Sequence, residues 1–293
     1  MTFRPQGAPG VRIAVNGLHL YVEASGPGPG TEPHDRTRPP LLLIHGFTGS
    51  TRTWQAHLGP LGQARGLAYA VDLVGHGRSD APGEPSRYGF ARVVEDLLGL
   101  MDRLEARVVD LLGYSMGGRV AMHLALAAPG RVRSLVVESA SPGIEDPEER
   151  ARRRAQDEEL ALLLEREGIR AFVERWESQP LFATQAALDP AVRDAVRADR
   201  LSQRPHGLAF ALRGLGAGVQ QPLWNALGGL RLPVLVLAGE KDARYRHLAR
   251  RMGALVPGAR VAVVEGAGHA VHLERPEAFR SLVLEFLAGV DAR

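Results

Sequence analysis

One short turn constrains the fold of this chain more than any other feature of its sequence. A strand-like apolar run ends in Gly-Tyr-Ser-Met-Gly-Gly at residues 113–118, and a stretch with helical spacing follows. A serine on such a turn needs a strained backbone, and the residues two before and two after it must be small because strand and helix approach closely. Gly113 and Gly117 meet this requirement. The turn therefore predicts that Ser115 projects its hydroxyl as the reactive group of a catalytic site.

The rest of the chain alternates short apolar runs with stretches of helical spacing. Runs that are apolar throughout are typical of parallel strands covered by helices on both faces. The predicted strands are 41–45, 67–72, 108–113, 132–138, 233–238 and 260–265, and the predicted helices are 54–64, 90–104, 116–128, 246–255 and 276–287. An N-terminal hairpin of 11–15 and 18–23, joined at Asn16-Gly17, precedes an exposed Gly/Pro-rich loop at 26–40. The pattern predicts an α/β fold with a mostly parallel central sheet flanked by helices.

Residues 142–230 break this alternation, because they contain amphipathic helical stretches and no convincing strand. Helices are predicted at 147–166, 169–176 and 190–201. An all-helical insertion between two strands is expected to form a cap over the carboxyl edge of the sheet. The core domain would then comprise 1–141 and 231–293, with 142–230 as the cap. The alternative is a helical domain that takes no part in catalysis.

A serine hydroxyl needs a base, and the base needs an orienting carboxylate. In a fold with this turn the chain order is serine, acid, histidine. Asp242 and His269 follow the last two predicted strands, at the sheet edge where open α/β sheets bind ligands. Glu138, at the end of its own strand, is an alternative acid, but Asp242 is favoured because its strand immediately precedes the histidine strand. His272 is expected to be structural.

The loop after the strand 41–45 is a candidate oxyanion hole. It reads Gly-Phe-Thr-Gly-Ser at 46–50 and opens a helix. The main-chain N–H groups of Phe47 and Met116 would supply two convergent donors. The alternative is a simple strand-to-helix turn. His45 is expected to hydrogen-bond this loop, and Asp72 to stabilise a turn at the end of its strand.

Composition excludes several other classes of function. The chain has no cysteine, which excludes disulfides, thiolate metal sites and a cysteine nucleophile. Its 36 basic and 33 acidic residues give a net charge of only +3, so nucleic-acid binding is not expected. No apolar run approaches the roughly 18 residues that would span a bilayer. The first residues lack the apolar segment of a secretory signal, so a cytoplasmic location is expected. No cofactor and no metal are predicted.

These motifs resemble the α/β-hydrolase superfamily over essentially the whole chain, and further stretches narrow the resemblance. They are residues 111–122, 138–144, 149–155, 176–182 and 212–224, several of which lie in the predicted cap. With them the chain is similar to the 2-succinyl-6-hydroxy-2,4-cyclohexadiene-1-carboxylate synthase (MenH) family of menaquinone biosynthesis. The resemblance implies a lyase that eliminates pyruvate from 2-succinyl-5-enolpyruvyl-6-hydroxy-3-cyclohexene-1-carboxylate. Ser115 would then be a base primed by His269, with no acyl-enzyme.

The implied substrate is a small molecule with three carboxylates, and the chain offers cations to bind them. Arg119 lies one helical turn after Ser115, although a surface or salt-bridged arginine is the alternative interpretation. The resemblance further implies substrate binding by Tyr114, Arg153, Trp176 and Arg200. Helical phase decides whether Arg153 or one of its two neighbouring arginines faces the pocket.

Two other functions stay open at this point. A serine carboxylesterase or carbon–carbon bond hydrolase would use Ser115 as a true nucleophile, and an apolar cap pocket would favour it. A ligand-binding protein without catalysis would have a broken triad. The oligomeric state is not predicted.

Overall fold

The computed structural model describes residues 10–26 and 38–292, so most of the predicted loop at 26–40 lies outside the described residues. Within these described ranges, one sheet of eight strands forms the centre of the fold. The strands are β1 (Val11–Val15), β2 (Leu18–Ser25), β3 (Leu41–Ile44), β4 (Ala68–Val71), β5 (Val109–Tyr114), β6 (Val132–Glu138), β7 (Val234–Gly239) and β8 (Arg260–Val264). Their order across the sheet is β1-β2-β4-β3-β5-β6-β7-β8.

The strand pairing is antiparallel at one edge and parallel elsewhere. β1 and β2 form the predicted hairpin, whose turn at Asn16 and Gly17 has positive φ angles of 46° and 83°. β2 also pairs with β4 in antiparallel fashion, and every pair from β4 to β8 is parallel. In β3, Leu41 and Leu43 pack into one apolar cluster, and Leu42 and Ile44 into another on the opposite face. This two-sided burial explains the uniformly apolar strand, and the predicted α/β class is confirmed.

Helices connect the strands and cover both faces. Outside the segment between β6 and β7, they are α1 (Gln55–Arg65), α2 (Phe90–Arg103), α3 (Met116–Ala127), α8 (Ala243–Leu255), α9 (Val271–Glu274) and α10 (Pro276–Asp291). α8 begins three residues earlier than predicted, because Asp242 Oδ1 accepts a hydrogen bond from Tyr245 N at 3.1 Å and caps the helix. No helix in the described ranges has the length and apolar character to cross a membrane.

The segment between β6 and β7 is helical throughout its described elements. These are α4 (Pro147–Glu177), a 3₁₀ helix (Pro180–Ala187), α5 (Pro190–Leu201), α6 (Pro205–Leu215) and α7 (Trp224–Leu227). α4 combines the two predicted helices 147–166 and 169–176, with a break at Gly168, whose φ is 80°. α6 has no counterpart among the predicted helices. This segment has its own apolar cluster, which includes Leu164, Phe172 and Leu208. The division into core and cap domains stays a prediction.

Candidate active site

Ser115 lies on the turn between β5 and α3, with φ of 50° and ψ of −109°. A residue with a side chain rarely adopts this conformation, which occurs mostly where the surrounding structure enforces it. A Cβ atom on Gly113 would overlap the carbonyl oxygen of Gly117, and one on Gly117 would overlap that of Ile44. The close approach of strand, helix and loop therefore requires glycine at both positions.

Hydrogen bonds join Ser115, His269 and Asp242. His269 Nδ1 lies 2.7 Å from Asp242 Oδ2, and His269 Nε2 lies 3.1 Å from Ser115 Oγ. Because an ionised carboxylate only accepts hydrogen bonds, Nδ1 carries the proton and Nε2 accepts from the serine hydroxyl. The imidazole is only 1% exposed, so bulk water hardly competes for these bonds. This geometry can transfer a proton between Ser115 Oγ and His269.

Glu138, the alternative acid, faces a different histidine. Its Oε1 lies 2.9 Å from His272 Nδ1 and accepts a hydrogen bond from His272 N at 3.0 Å. Both side chains are buried. The structure thus brings Asp242 to His269 and places Glu138 and His272 in a second pair.

The loop after β3 lies beside Ser115. A Cβ atom on Gly46 would stand 3.5 Å from Ser115 Cβ, and Thr48 adopts a positive φ of 68°. Neither the Phe47 N–H nor the Met116 N–H donates a hydrogen bond within the part of the chain that the structure describes. Free main-chain donors next to a reactive serine can stabilise a developing negative charge.

Two buried side chains fix the ends of this loop. His45 Nε2 accepts from Leu73 N at 3.0 Å, so Nδ1 carries the proton and donates to Gly46 O at 2.7 Å. Burial lowers the pKa of His45 to about 4, which keeps the ring neutral at neutral pH. Asp72 accepts hydrogen bonds from the main-chain N–H groups of Thr51 and Arg78 at 2.5 and 2.7 Å. Both residues act on the backbone, in agreement with the sequence interpretation.

A cavity of about 720 Å³ opens above Ser115, between the sheet edge and the helical segment. It brings together nine of the ten predicted site residues: Phe47, Tyr114, Ser115, Met116, Arg119, Arg153, Trp176, Arg200 and His269. Asp242, the tenth, lies behind His269 and does not line it.

Arg119 is a partly buried cation in this cavity. Its Nη1 donates to the carbonyl oxygen of Leu215 at 2.5 Å, and no carboxylate of the described residues pairs with it. Burial, together with the positive charge of Arg153, lowers the pKa of Arg119 to about 10, so it remains charged at neutral pH. A desolvated guanidinium without a carboxylate partner is suited to bind the carboxylate of a ligand.

Arg153 and Arg200 already have partners within the protein. Arg153 Nε lies 2.8 Å from Asp157 Oδ1, and Arg200 donates to Glu177 at 3.0 Å and to Gln185 at 3.2 Å. The two arginines beside Arg153 are exposed and do not line the cavity, so helical phase selects Arg153. Arg119, Arg153 and Arg200 therefore differ in how far protein carboxylates neutralise them.

Aromatic rings form the apolar part of the wall. Trp176 lies edge-on to Phe47 with ring centroids 5.1 Å apart, and it stacks on Phe172. Its buried Nε1 has no partner within the described ranges. Tyr114 packs on His272 with centroids 4.5 Å apart, and burial raises the pKa of Tyr114, so its hydroxyl keeps its proton as a donor.

Some cavity residues were not found by sequence reasoning. Tyr245 lies 4.6 Å from the His269 ring and Phe182 lies 6.3 Å from it, measured between centroids. Asp157 and Gln185 orient the two paired arginines. None of these residues belongs to a motif. Only Tyr245 has a spacing that could have indicated its place near His269, because it lies three residues after Asp242, in the first turn of α8. The described residues contain no cluster of three or more acidic or histidine side chains that could hold a metal.

Comparisons with known proteins show the family of this chain. Residues 41–282 match the alpha/beta hydrolase family. The chain is 39% identical, over 85% of its length and 90% of the relative's, to a putative 2-succinyl-6-hydroxy-2,4-cyclohexadiene-1-carboxylate synthase of Bacillus subtilis.

Solved structures of similar fold include a MenH and an esterase. The structure of MenH from S. aureus superimposes with a TM-score of 0.85 at 32% identity, covering 92% of this chain and 98% of that one. A thermophilic esterase from Thermogutta terrifontis, solved with malate bound, gives a TM-score of 0.81 at 27% identity, covering 97% and 99%. This chain belongs to the alpha/beta hydrolase family and, within it, to the 2-succinyl-6-hydroxy-2,4-cyclohexadiene-1-carboxylate synthases.

Proposed function

We propose that this protein is a cytoplasmic lyase of menaquinone biosynthesis that eliminates pyruvate from 2-succinyl-5-enolpyruvyl-6-hydroxy-3-cyclohexene-1-carboxylate. The product is 2-succinyl-6-hydroxy-2,4-cyclohexadiene-1-carboxylate. Family membership supports the proposal. The observation that carries it in this chain is Arg119, a partly buried guanidinium without a carboxylate partner among the described residues, in the cavity above Ser115.

In the proposed mechanism Ser115 Oγ acts as the base. As its hydroxyl proton moves to His269 Nε2, the oxygen takes the ring proton next to the succinyl ketone. The electrons of the broken C–H bond form an enolate, whose oxygen the N–H groups of Phe47 and Met116 stabilise. These electrons then move through the ring double bond and expel enolpyruvate. Enolpyruvate takes up one proton to become pyruvate, and His269 gives up the proton that it received from Ser115. No bond forms between Ser115 and the substrate.

The cavity offers cations and aromatic rings that support binding of this substrate. The three carboxylates of the substrate would bind to Arg119, Arg153 and Arg200, while Trp176 and Phe47 would contact the substrate ring. Arg119 forms no ion pair with a carboxylate in the described part of the chain. Arg153 is already paired with Asp157, and Arg200 with Glu177, so the charge of each is partly neutralised before substrate binds. We therefore expect Arg119 to contribute most to substrate affinity.

An ester-cleaving hydrolase is the second candidate. The same triad can attack an ester carbonyl, and a structural neighbour with this fold is an esterase. In that mechanism Ser115 forms an acyl-enzyme, and the cavity arginines would bind an acidic ester.

The deciding experiment follows pyruvate release from the substrate, made freshly by the preceding enzyme of the pathway. The wild-type protein should accelerate release far beyond the spontaneous rate, and Ser115→Ala should lose at least about a thousandfold in kcat. Arg119→Ala should raise KM by about tenfold or more, as expected for the loss of one charged hydrogen bond. Arg152→Ala, an exposed neighbour of Arg153, is the matched control and should behave as wild type.

Rapid hydrolysis of simple aryl esters without any acceleration of pyruvate release would reject the lyase and favour the hydrolase. An unchanged KM in Arg119→Ala would remove this arginine from substrate binding.

A further inference from the structure

The loop that carries His269 forms hydrogen bonds with a carboxylate that does not line the cavity. Glu274, the last residue of α9, is buried. Its Oε2 accepts a hydrogen bond from Gly268 N at 2.8 Å. Its Oε1 lies 3.4 Å from Ala270 N, a longer and weaker bond. One side chain thus binds the main-chain N–H groups on both sides of His269.

This loop needs such a partner because its own sequence does not restrict it. Glycine at 266 and 268 allows many backbone conformations, and Gly266 has a positive φ of 67°. Residues 268 and 270 follow the end of β8, so their N–H groups have no acceptor on a neighbouring strand. An unpaired buried N–H costs about 1–3 kcal/mol, and the Glu274 carboxylate satisfies both groups at once.

The space around the loop shows that this arrangement is tightly packed. A Cβ atom on Gly268 would stand 3.0 Å from Glu274 Oε1, and it would overlap Thr184 Oγ1 of the 3₁₀ helix Pro180–Ala187. The loop is therefore enclosed between Glu274 below and the helical segment above. A substitution at Glu274 would remove the contacts on one side of the loop without changing a residue that lines the cavity.

We infer that Glu274 is a positioning residue, which holds the imidazole of His269 in line between Asp242 Oδ2 and Ser115 Oγ. The inference rests on the proposed function, in which His269 takes the proton of Ser115. A shift of about 1 Å in a reacting group is enough to reduce a rate by about a hundredfold, so the orientation of this loop bears directly on kcat.

The first test compares two isosteric substitutions. Glu274→Gln keeps the shape of the side chain but replaces one acceptor oxygen with an NH2 group. This group cannot accept a hydrogen bond, so one of the two bonds to the main-chain N–H groups is lost. We expect kcat for pyruvate release to fall about 10- to 100-fold, with KM within about twofold of wild type. Glu277→Gln, an exposed change three residues further on, is the matched control and should leave both values unchanged. Glu274→Asp should restore part of the rate, because a carboxylate remains to accept from one N–H.

The second test does not depend on turnover. The proton on His269 Nδ1, bonded to Asp242 Oδ2, should give a downfield NMR signal, assigned by its absence in His269→Gln. The signal should shift or broaden in Glu274→Gln and stay in place in Glu277→Gln. A wild-type kcat together with an unshifted signal in Glu274→Gln would overturn the inference. If the wild-type protein releases no pyruvate, the proposed function fails, and the NMR comparison still decides whether Glu274 orients His269.

Discussion

Two buried histidine–carboxylate pairs lie side by side at the carboxyl edge of the sheet. In the first pair, His269 Nδ1 lies 2.7 Å from Asp242, and in the second, His272 Nδ1 lies 2.9 Å from Glu138. The histidines are three residues apart in the chain, and their exposed fractions are 1% and 4%. By composition and burial the two pairs are nearly equivalent.

They differ in what each imidazole faces. The His269 ring reaches Ser115 Oγ at 3.1 Å, whereas the His272 ring packs against Tyr114, Trp54 and Phe279, with centroids 4.5 to 6.0 Å away. The first pair can accept a proton from a hydroxyl, and the second joins β6 to α9 within an aromatic cluster. The comparison teaches that a buried histidine–carboxylate pair acquires a chemical role only from a reactive group across from it.

The largest expected effect comes from Asp242→Asn in the first pair. The asparagine oxygen can still cap α8 through Tyr245 N, but its amide presents a donor to His269 Nδ1 and favours the wrong tautomer. We expect kcat for pyruvate release to fall roughly 10³- to 10⁴-fold, as in other serine–histidine–aspartate triads, while the thermal midpoint changes little. Steady-state kinetics and a thermal melt on the same sample measure both. Activity within tenfold of wild type would show that Asp242 is not the orienting acid.

Glu138→Gln should have the opposite result in the second pair. It replaces the carboxylate bonded to His272 N and Nδ1 with a neutral amide, and hydrogen bonds to a charged group are worth about 1.5–3 kcal/mol. We expect a matching loss in the free energy of unfolding, measured by urea denaturation. The kcat of the folded protein should stay within about tenfold of wild type, because Glu138 contacts Ser115 only through its main-chain carbonyl. A kcat loss as large as that of Asp242→Asn would mean that the two pairs are not separate.

The smallest expected effect is on the pH dependence of stability, and it concerns His57, which has no carboxylate partner among the described residues. His57 Nε2 donates to the carbonyl oxygen of His272 at 2.9 Å, and its buried Nδ1 has no partner within the described ranges. Burial, with a contribution from His272, lowers the pKa of His57 to about 3, against 6.5 when it is exposed. Between these values the unfolded chain binds more protons than the folded protein, so the free energy of unfolding falls as the pH falls.

We therefore expect His57→Gln to lose less stability on acidification than wild type. The difference should reach about 2 kcal/mol between pH 7 and pH 5, measured by urea denaturation at each pH. Wild type and variant with the same pH dependence would contradict the neutral, buried state of His57.

Local sequence predicted much of the site. The glycines around Ser115 identify the turn because only glycine fits where a Cβ atom would overlap a carbonyl oxygen. Asp242 and His269 were found from their positions after the last two strands, since parallel strands bring their carboxyl ends to one edge. The helical phase of Arg153 remained open, because three consecutive arginines differ only in the direction in which the helix points them.

Some of the contacts that sequence reasoning missed join residues far apart in the chain. Glu177 pairs with Arg200 across 23 residues, and Arg119 binds the carbonyl of Leu215 across 96. Glu274 is close to His269 in the chain, yet nothing in its spacing indicates that its side chain turns back toward two main-chain N–H groups.

The sequence by itself determined the α/β class, the serine turn and the order of its partners, because steric limits on the backbone and strand periodicity are local properties. Only the tertiary structure decided which acid meets which histidine and which arginine keeps its charge free of carboxylates among the described residues. Those outcomes depend on the burial and distance of groups far apart in the chain, which set the energies of hydrogen bonds and ion pairs.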